Sequence, residues 1–276
     1  MNKVDILLEK EDEIALRTRL HLLCDENSEE TEYLQKRVVK NLSEVQNSNG
    51  SWNNTIYRTL QNLHLLIDTQ NQDTKMFSRG FQWILSLKGP QGFHEYGEEG
   101  QKVYCRDEEC PFGSMLGAPE FTGRVLYLFG RMTYENPIVN ESVANIMQFR
   151  RADGGFHGTR YWEEDKRSCI GATLWVARGL LSLGRETEVV EGAVHFIEQE
   201  KIFESPHQFP ISALTLETLF LHSQKETAIV KHHIQYLLGL RRGMNWELPS
   251  TNGKKYRENL FFVLNALRKF RKNTFY

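Results

Sequence analysis

Tyr57, Gln61 and His64 stand at spacings of four and three, which puts them on one face of a helix. Glu120, Arg124 and Tyr127 repeat that spacing in a second segment, and Arg178, Glu217 and Glu258 are further polar residues set in apolar stretches. Rings, hydrogen-bonding groups and charges mixed in this way could line a ligand pocket. The same residues could instead point between helices and satisfy one another, and the sequence leaves both readings open.

Glu120, Asp165 and His157 are the candidate acid–base groups. Histidine titrates near neutrality, but Glu163-Glu164-Asp165 also reads as the acidic first turn that a helix start favours, and Asp153 as a turn former. The metal candidates are Cys105 and Cys110, a C-x4-C pair with His94 and Asp107 close by, together with Cys169. Zinc is the cofactor to consider, since it takes thiolate, imidazole and carboxylate ligands. A single C-x4-C pair without a second is also what two unligated loop thiols look like.

Helices must position all of these. A glycine–aromatic signature recurs as Gln46-Asn47-Ser48-Asn49-Gly50-Ser51-Trp52, Lys88-Gly89-Pro90-Gln91-Gly92-Phe93 and Gln148-Phe149-Arg150-Arg151-Ala152-Asp153-Gly154-Gly155-Phe156. It returns more weakly at Arg241-Arg242-Gly243-Met244-Asn245-Trp246, with a degraded copy at Pro206-His207-Gln208-Phe209-Pro210. Each copy precedes an apolar stretch of helical period, then a polar turn, then a second amphipathic stretch. The pattern predicts more apolar helices near 9–23, 54–68, 116–132, 168–183, 211–223 and 256–270. A second set is predicted near 29–46, 75–88, 137–149, 188–200 and 227–240. Strand signals are nearly absent. The expected fold is all-α, an (α/α)6-like toroid with inner and outer rings of helices. It is read as one domain over 1–276, with an insertion near 96–116.

The Gln…Gly-Ser-Trp and Gln…Asp-Gly-Gly-Phe copies resemble the QW-type repeats of squalene cyclases and protein prenyltransferase β-subunits. The detailed match runs from Gln148 to Gly158 and on through Cys169 and Trp175; it is similar to the Gly-Gly-Phe-x-Gly stretch before a zinc cysteine. The resemblance implies an α/α toroid that holds an isoprenoid chain in an apolar central cavity, with Trp175 and Arg178 joining the substrate-binding candidates. The chain departs from the family's chemistry. Arg167 stands where a zinc Asp would be, Tyr256-Arg257-Glu258-Asn259 offers no zinc His, and neither Asp-x-Asp-Asp nor Asp-Asp-x-x-Asp occurs.

Composition narrows the classes. Hydrophobic residues make up 40%, charged residues 25%, and net charge is -2, so no positive field recruits nucleic acid. No apolar run approaches the ~20 residues of a membrane span. The acidic start and four cysteines suggest a cytoplasmic chain with reduced thiols. The functional expectation is a prenyltransferase- or terpene-cyclase-like protein that acts on or binds an isoprenoid or similar apolar small molecule. The alternatives are a non-catalytic toroid that binds a lipid, peptide or partner protein, and a carbohydrate-active enzyme using paired carboxylates.

Overall fold

The computed structural model describes residues 3–90, 92–93, 118–157, 168–185, 187–199, 208–223, 227–242, 245–246, 248 and 253–270. The chain is all-α. Its helices are α1 (Lys3–Leu8), α2 (Glu13–Arg17), α3 (Glu29–Glu44), α4 (Ile56–Asp68), α5 (Lys75–Ser86), α6 (Ala118–Arg131), α7 (Pro137–Met147), α8 (Ile170–Leu183), α9 (Thr187–Gln199), α10 (Gln208–His222), α11 (Ala228–Gly239) and α12 (Gly253–Phe270).

Short polar side chains set most of the starts. Ser28, Thr55, Thr74, Asn136 and Thr227 each accept a hydrogen bond from a first-turn N–H of the helix they precede. The predicted helix over 9–23 is interrupted instead. Asp12 turns its carboxylate onto the N–H groups of Ile14 and Ala15 at 3.0 and 3.2 Å, starting α2 afresh, and Thr18–Leu23 then widens into a π-helical turn.

The glycine–aromatic signature folds as a miniature hairpin rather than a bare turn. Lys88–Gly89 (β1) pairs antiparallel with Gly92–Phe93 (β2), Arg241–Arg242 (β3) with Asn245–Trp246 (β4), and Arg150 bridges to Phe156. The glycines are needed there. Gly154 has φ +88°, and a Cβ on it would meet Gly192 O at 2.5 Å. The aromatic that closes three of these turns is buried: Trp52, Phe93 and Phe156. Its backbone N–H donates to a threonine hydroxyl on the next helix, Trp52 to Thr59 at 3.0 Å, Phe93 to Thr122 at 2.9 Å and Phe156 to Thr173 at 2.9 Å. A buried N–H left unpaired is costly, so this threonine clamp fixes each hairpin on its helix.

Contacts divide the chain into two compact units. In Gln46–Pro206, α4, α6 and α8 lie side by side, and α5, α7 and α9 each pack on the helix before them. The core there includes Phe93, Phe129, Phe156, Leu126 and Leu180. In the other unit, Met1–Val45 with His207–Tyr276, α12 packs on α10 and on α1 and α2. Arg257, 3% exposed, binds both ends of that arrangement. Its guanidinium donates to Ile6 O at 3.1 Å, Leu7 O at 2.6 Å and Asp12 Oδ2 at 2.6 Å.

Among the described residues, no helix is long and apolar enough to cross a membrane.

Candidate functional site

Helices α6 and α8 cross at near backbone contact. A Cβ on Gly123 would lie 2.6 Å from the Trp175 carbonyl carbon, one on Gly179 2.6 Å from Gly123 O, and one on Gly130 2.6 Å from Ser182 C and O. Glycine alone permits this approach, and it brings the residue after Gly123 against those before Gly179.

A ladder of cations and rings results. The Arg124 guanidinium carbon lies 4.0 Å from the Trp175 ring centroid and 5.3 Å from that of Tyr57. Arg178 lies 4.3 Å from the Tyr127 ring and 5.3 Å from Trp175, and donates to the Tyr127 hydroxyl at 3.1 Å. His64 packs on Tyr127 at 5.1 Å. Cation–π contacts of this kind contribute about 0.5–2 kcal/mol each, more as water is excluded.

An ion pair stands at each end. At the start of α6, Arg124 Nε and Nη2 donate to Glu120 Oε1 at 3.0 and 2.6 Å. At its close, Arg131 donates to Asp68 at 2.6 Å, with His64 Nδ1 3.5 Å from the same guanidinium. Side-chain exposures of 12% for Glu120, 17% for Arg124 and 11% for Asp68 put these charges in a partly dehydrated setting. Glu120 and Arg131 stand eleven residues apart on α6, about 16 Å along its axis.

Seven of the residues singled out in sequence therefore meet on one face of the Gln46–Pro206 unit: Tyr57, His64, Glu120, Arg124, Tyr127, Trp175 and Arg178. Their companions Asp68 and Arg131 were not singled out, although each extends its stripe at positions four and eleven from the residues that were. Gln61, on the same stripe, accepts from Arg58 of its own helix at 3.1 Å.

The remaining candidates play other parts. His157 follows the Phe156 hairpin, and its N–H donates to Phe149 O. Cys169 is the N-cap of α8, half-buried, with its N–H on Phe156 O at 2.8 Å. Asp153 holds the same turn by accepting from Ser168 Oγ at 2.6 Å and from the Gly155 N–H at 3.0 Å. Asp165, Cys105 and Cys110, with the insertion near 96–116, lie outside the described residues. Among the described residues, no three His, Cys, Asp or Glu come together to hold a metal ion.

Glu258 sits on α12 in the other unit. There Glu217, on α10, accepts from Asn265 at 2.8 Å and pairs with Lys269 at 3.6 Å. Among the described residues, Leu221 and Phe262 are the exposed large apolar residues of the same two helices.

No family model matches the chain, and no curated protein matches it in sequence. Solved structures do. The type II terpene cyclase MstE from Scytonema, in complex with its substrate geranylgeranyl dihydroxybenzoate, matches with a TM-score of 0.63 at 16% identity, over 92% of this chain and 85% of that one. The same cyclase with its product merosterolic acid A matches with a TM-score of 0.61 at 16% identity, over 88% and 82%. A protein from Actinoplanes matches with a TM-score of 0.61 at 15% identity, over 97% and 88%. The chain thus has a terpene-cyclase-like helical fold.

Proposed function

We propose that the chain binds an isoprenoid, or a similarly extended apolar small molecule, on the face shared by α4, α6 and α8. The observation that carries this reading is the ladder itself. Tyr57, Tyr127 and Trp175 are left partly accessible while most aliphatic residues of the same helices, such as Leu63, Leu126 and Leu174, are buried, and each ring is held by a neighbouring cation. Rings fixed in place offer apolar area at little entropic cost. The likeness to a cyclase that binds a geranylgeranyl substrate supports the choice of ligand class, and kinship with the QW-repeat proteins is part of the same proposal.

Binding without cyclisation is the reading favoured for this face. A carbocation is steadied by the faces of aromatic rings, and here Arg124 and Arg178 already sit against Tyr57, Trp175 and Tyr127. The chain also has no Asp-x-Asp-Asp acid. A catalytic cyclase or transferase role is the second reading, supported by the fold likeness.

Titration calorimetry with geranylgeraniol tests the proposal. Saturable binding that weakens at least tenfold in Trp175→Ala is the expected result. Binding of equal strength in Trp175→Ala, or no binding in the wild type, would refute it.

A further inference from the structure

The face shared by α4, α6 and α8 has a definite length, because all three helices stop at one level. Helix α4 ends at Asp68; Gln70 then turns left-handed (φ +55°), and the Asn71 N–H donates to Leu66 O at 2.7 Å. Helix α6 ends at Arg131 in the same way, with Thr133 at φ +50° and the Tyr134 N–H on Phe129 O at 2.9 Å. Helix α8 ends at Leu183 on Gly184, φ +63°. Gly130 of α6 lies against Ser182 of α8, each one residue short of its helix end.

A polar bar closes this end. Arg131 donates to Asp68 Oδ1 at 2.6 Å, which ties the last residue of α6 to the last of α4, and His64 Nδ1 lies 3.5 Å from the same guanidinium. Both members of the pair are largely withdrawn from water. A hydrocarbon tail pushed past them would part the pair and leave the Asp68 carboxylate poorly hydrated without its cation. The opposite limit is the Glu120–Arg124 pair, whose charges would lose their remaining water under an alkyl chain.

Between Glu120 and Arg131 the axis of α6 advances about 16 Å, and the Tyr57, Trp175 and Tyr127 rings serve that stretch. An extended isoprenoid advances about 5 Å per unit, four chain bonds at roughly 1.2 Å each. Three units fill the stretch. A fourth finds no ring to lie on and must cross an ion pair.

We infer that this face is a ruler for three isoprene units, a fifteen-carbon chain, with the Asp68–Arg131 bar as its stop. This rests on the binding reading above and adds the length of the ligand to it.

Calorimetry with geraniol, farnesol and geranylgeraniol, which carry two, three and four units, tests the ruler. An unbounded apolar surface gains affinity with every unit, since each buried methylene contributes. The wild type is expected to gain about tenfold or more from geraniol to farnesol, and about threefold or less from farnesol to geranylgeraniol. Asp68→Leu combined with Arg131→Leu replaces the bar by apolar side chains, and the second step should then rise to about tenfold. A larger second step in the wild type, or no gain from geraniol to farnesol, would overturn the ruler while leaving isoprenoid binding intact. That comparison stands whether or not the double variant folds. A folded double variant that keeps the wild-type pattern would overturn the bar as the stop. If none of the three alcohols binds, the binding reading itself falls.

Discussion

Replacing glycine by alanine at two positions of α8 should shift stability in opposite directions. In a helix interior the change is worth up to about 1 kcal/mol in favour of alanine. At Gly179 the new methyl would stand 2.6 Å from Gly123 O and 3.0 Å from Leu126 Cβ. The first contact is with backbone, so no side chain can turn aside, and α6 and α8 must separate by several tenths of an ångström. Overpacking of this kind costs about 1–3 kcal/mol and removes the propensity gain. Gly179→Ala should therefore be destabilised by about 1–2 kcal/mol, while Gly171→Ala, whose methyl would meet described residues only at the ordinary contact distances of 3.9 Å (Glu120 Oε2) and 4.0 Å (Cys169 Sγ), should be neutral or stabilised by a few tenths. Urea unfolding followed by far-ultraviolet circular dichroism gives both values. Separation of the helices would also loosen Arg124 from Trp175, so the near-ultraviolet spectrum should change in Gly179→Ala alone. Equal stabilisation of the two variants would refute the close crossing of α6 and α8.

Other consequences follow from particular residues. His233 on α11 is fully buried, and burial, with the neighbouring His232 charge, pushes its imidazole down to about 4. Its folded value lies below the unfolded 6.5, so its contribution is present above that pH and is lost as pH falls from 6.5 toward 4. The urea midpoint should drop by the equivalent of about 2 kcal/mol between pH 7 and pH 5, and His233→Leu should flatten that dependence. Arg257→Met should lose about 1–3 kcal/mol, because the buried Leu7 carbonyl, the half-buried Ile6 carbonyl and the half-buried Asp12 carboxylate lose their common donor; Arg257→Lys should recover only part of it. Thr122→Val leaves the buried Phe93 N–H unpaired and should cost about 1–3 kcal/mol by chemical denaturation, with Thr122→Ser restoring most of the loss.

Much of the fold was legible in the sequence because helices announce themselves twice. Apolar period placed α4 through α12 within a few residues, and caps such as Thr55 and Asn136 mark their starts in residue type alone. The interruption before α2 was not legible, because Asp12 is fixed there by Arg257, some 245 positions away. The hairpins were not legible. Two-residue strands carry no alternation to detect, and what holds them is a threonine hydroxyl on the next helix.

At the candidate site, spacing was enough to group Glu120, Arg124 and Tyr127, since one helix face is a local property. It could not show whether that face meets Trp175 and Arg178. That depends on Gly123 and Gly179, which read in sequence as weak points of helices and act in the structure as the contact between them. Asp68 and Arg131 went unnoticed because each is unremarkable until the other is beside it.

The most direct test of ligand binding on this face is photo-crosslinking with a geranylgeranyl alcohol that carries a diazirine in its chain, followed by peptide mapping. Labelling confined to peptides of α4, α6 and α8, and competed away by unmodified geranylgeraniol, is the predicted result. Labelling spread over the surface, or concentrated on α10 and α12 around Leu221 and Phe262, would contradict it.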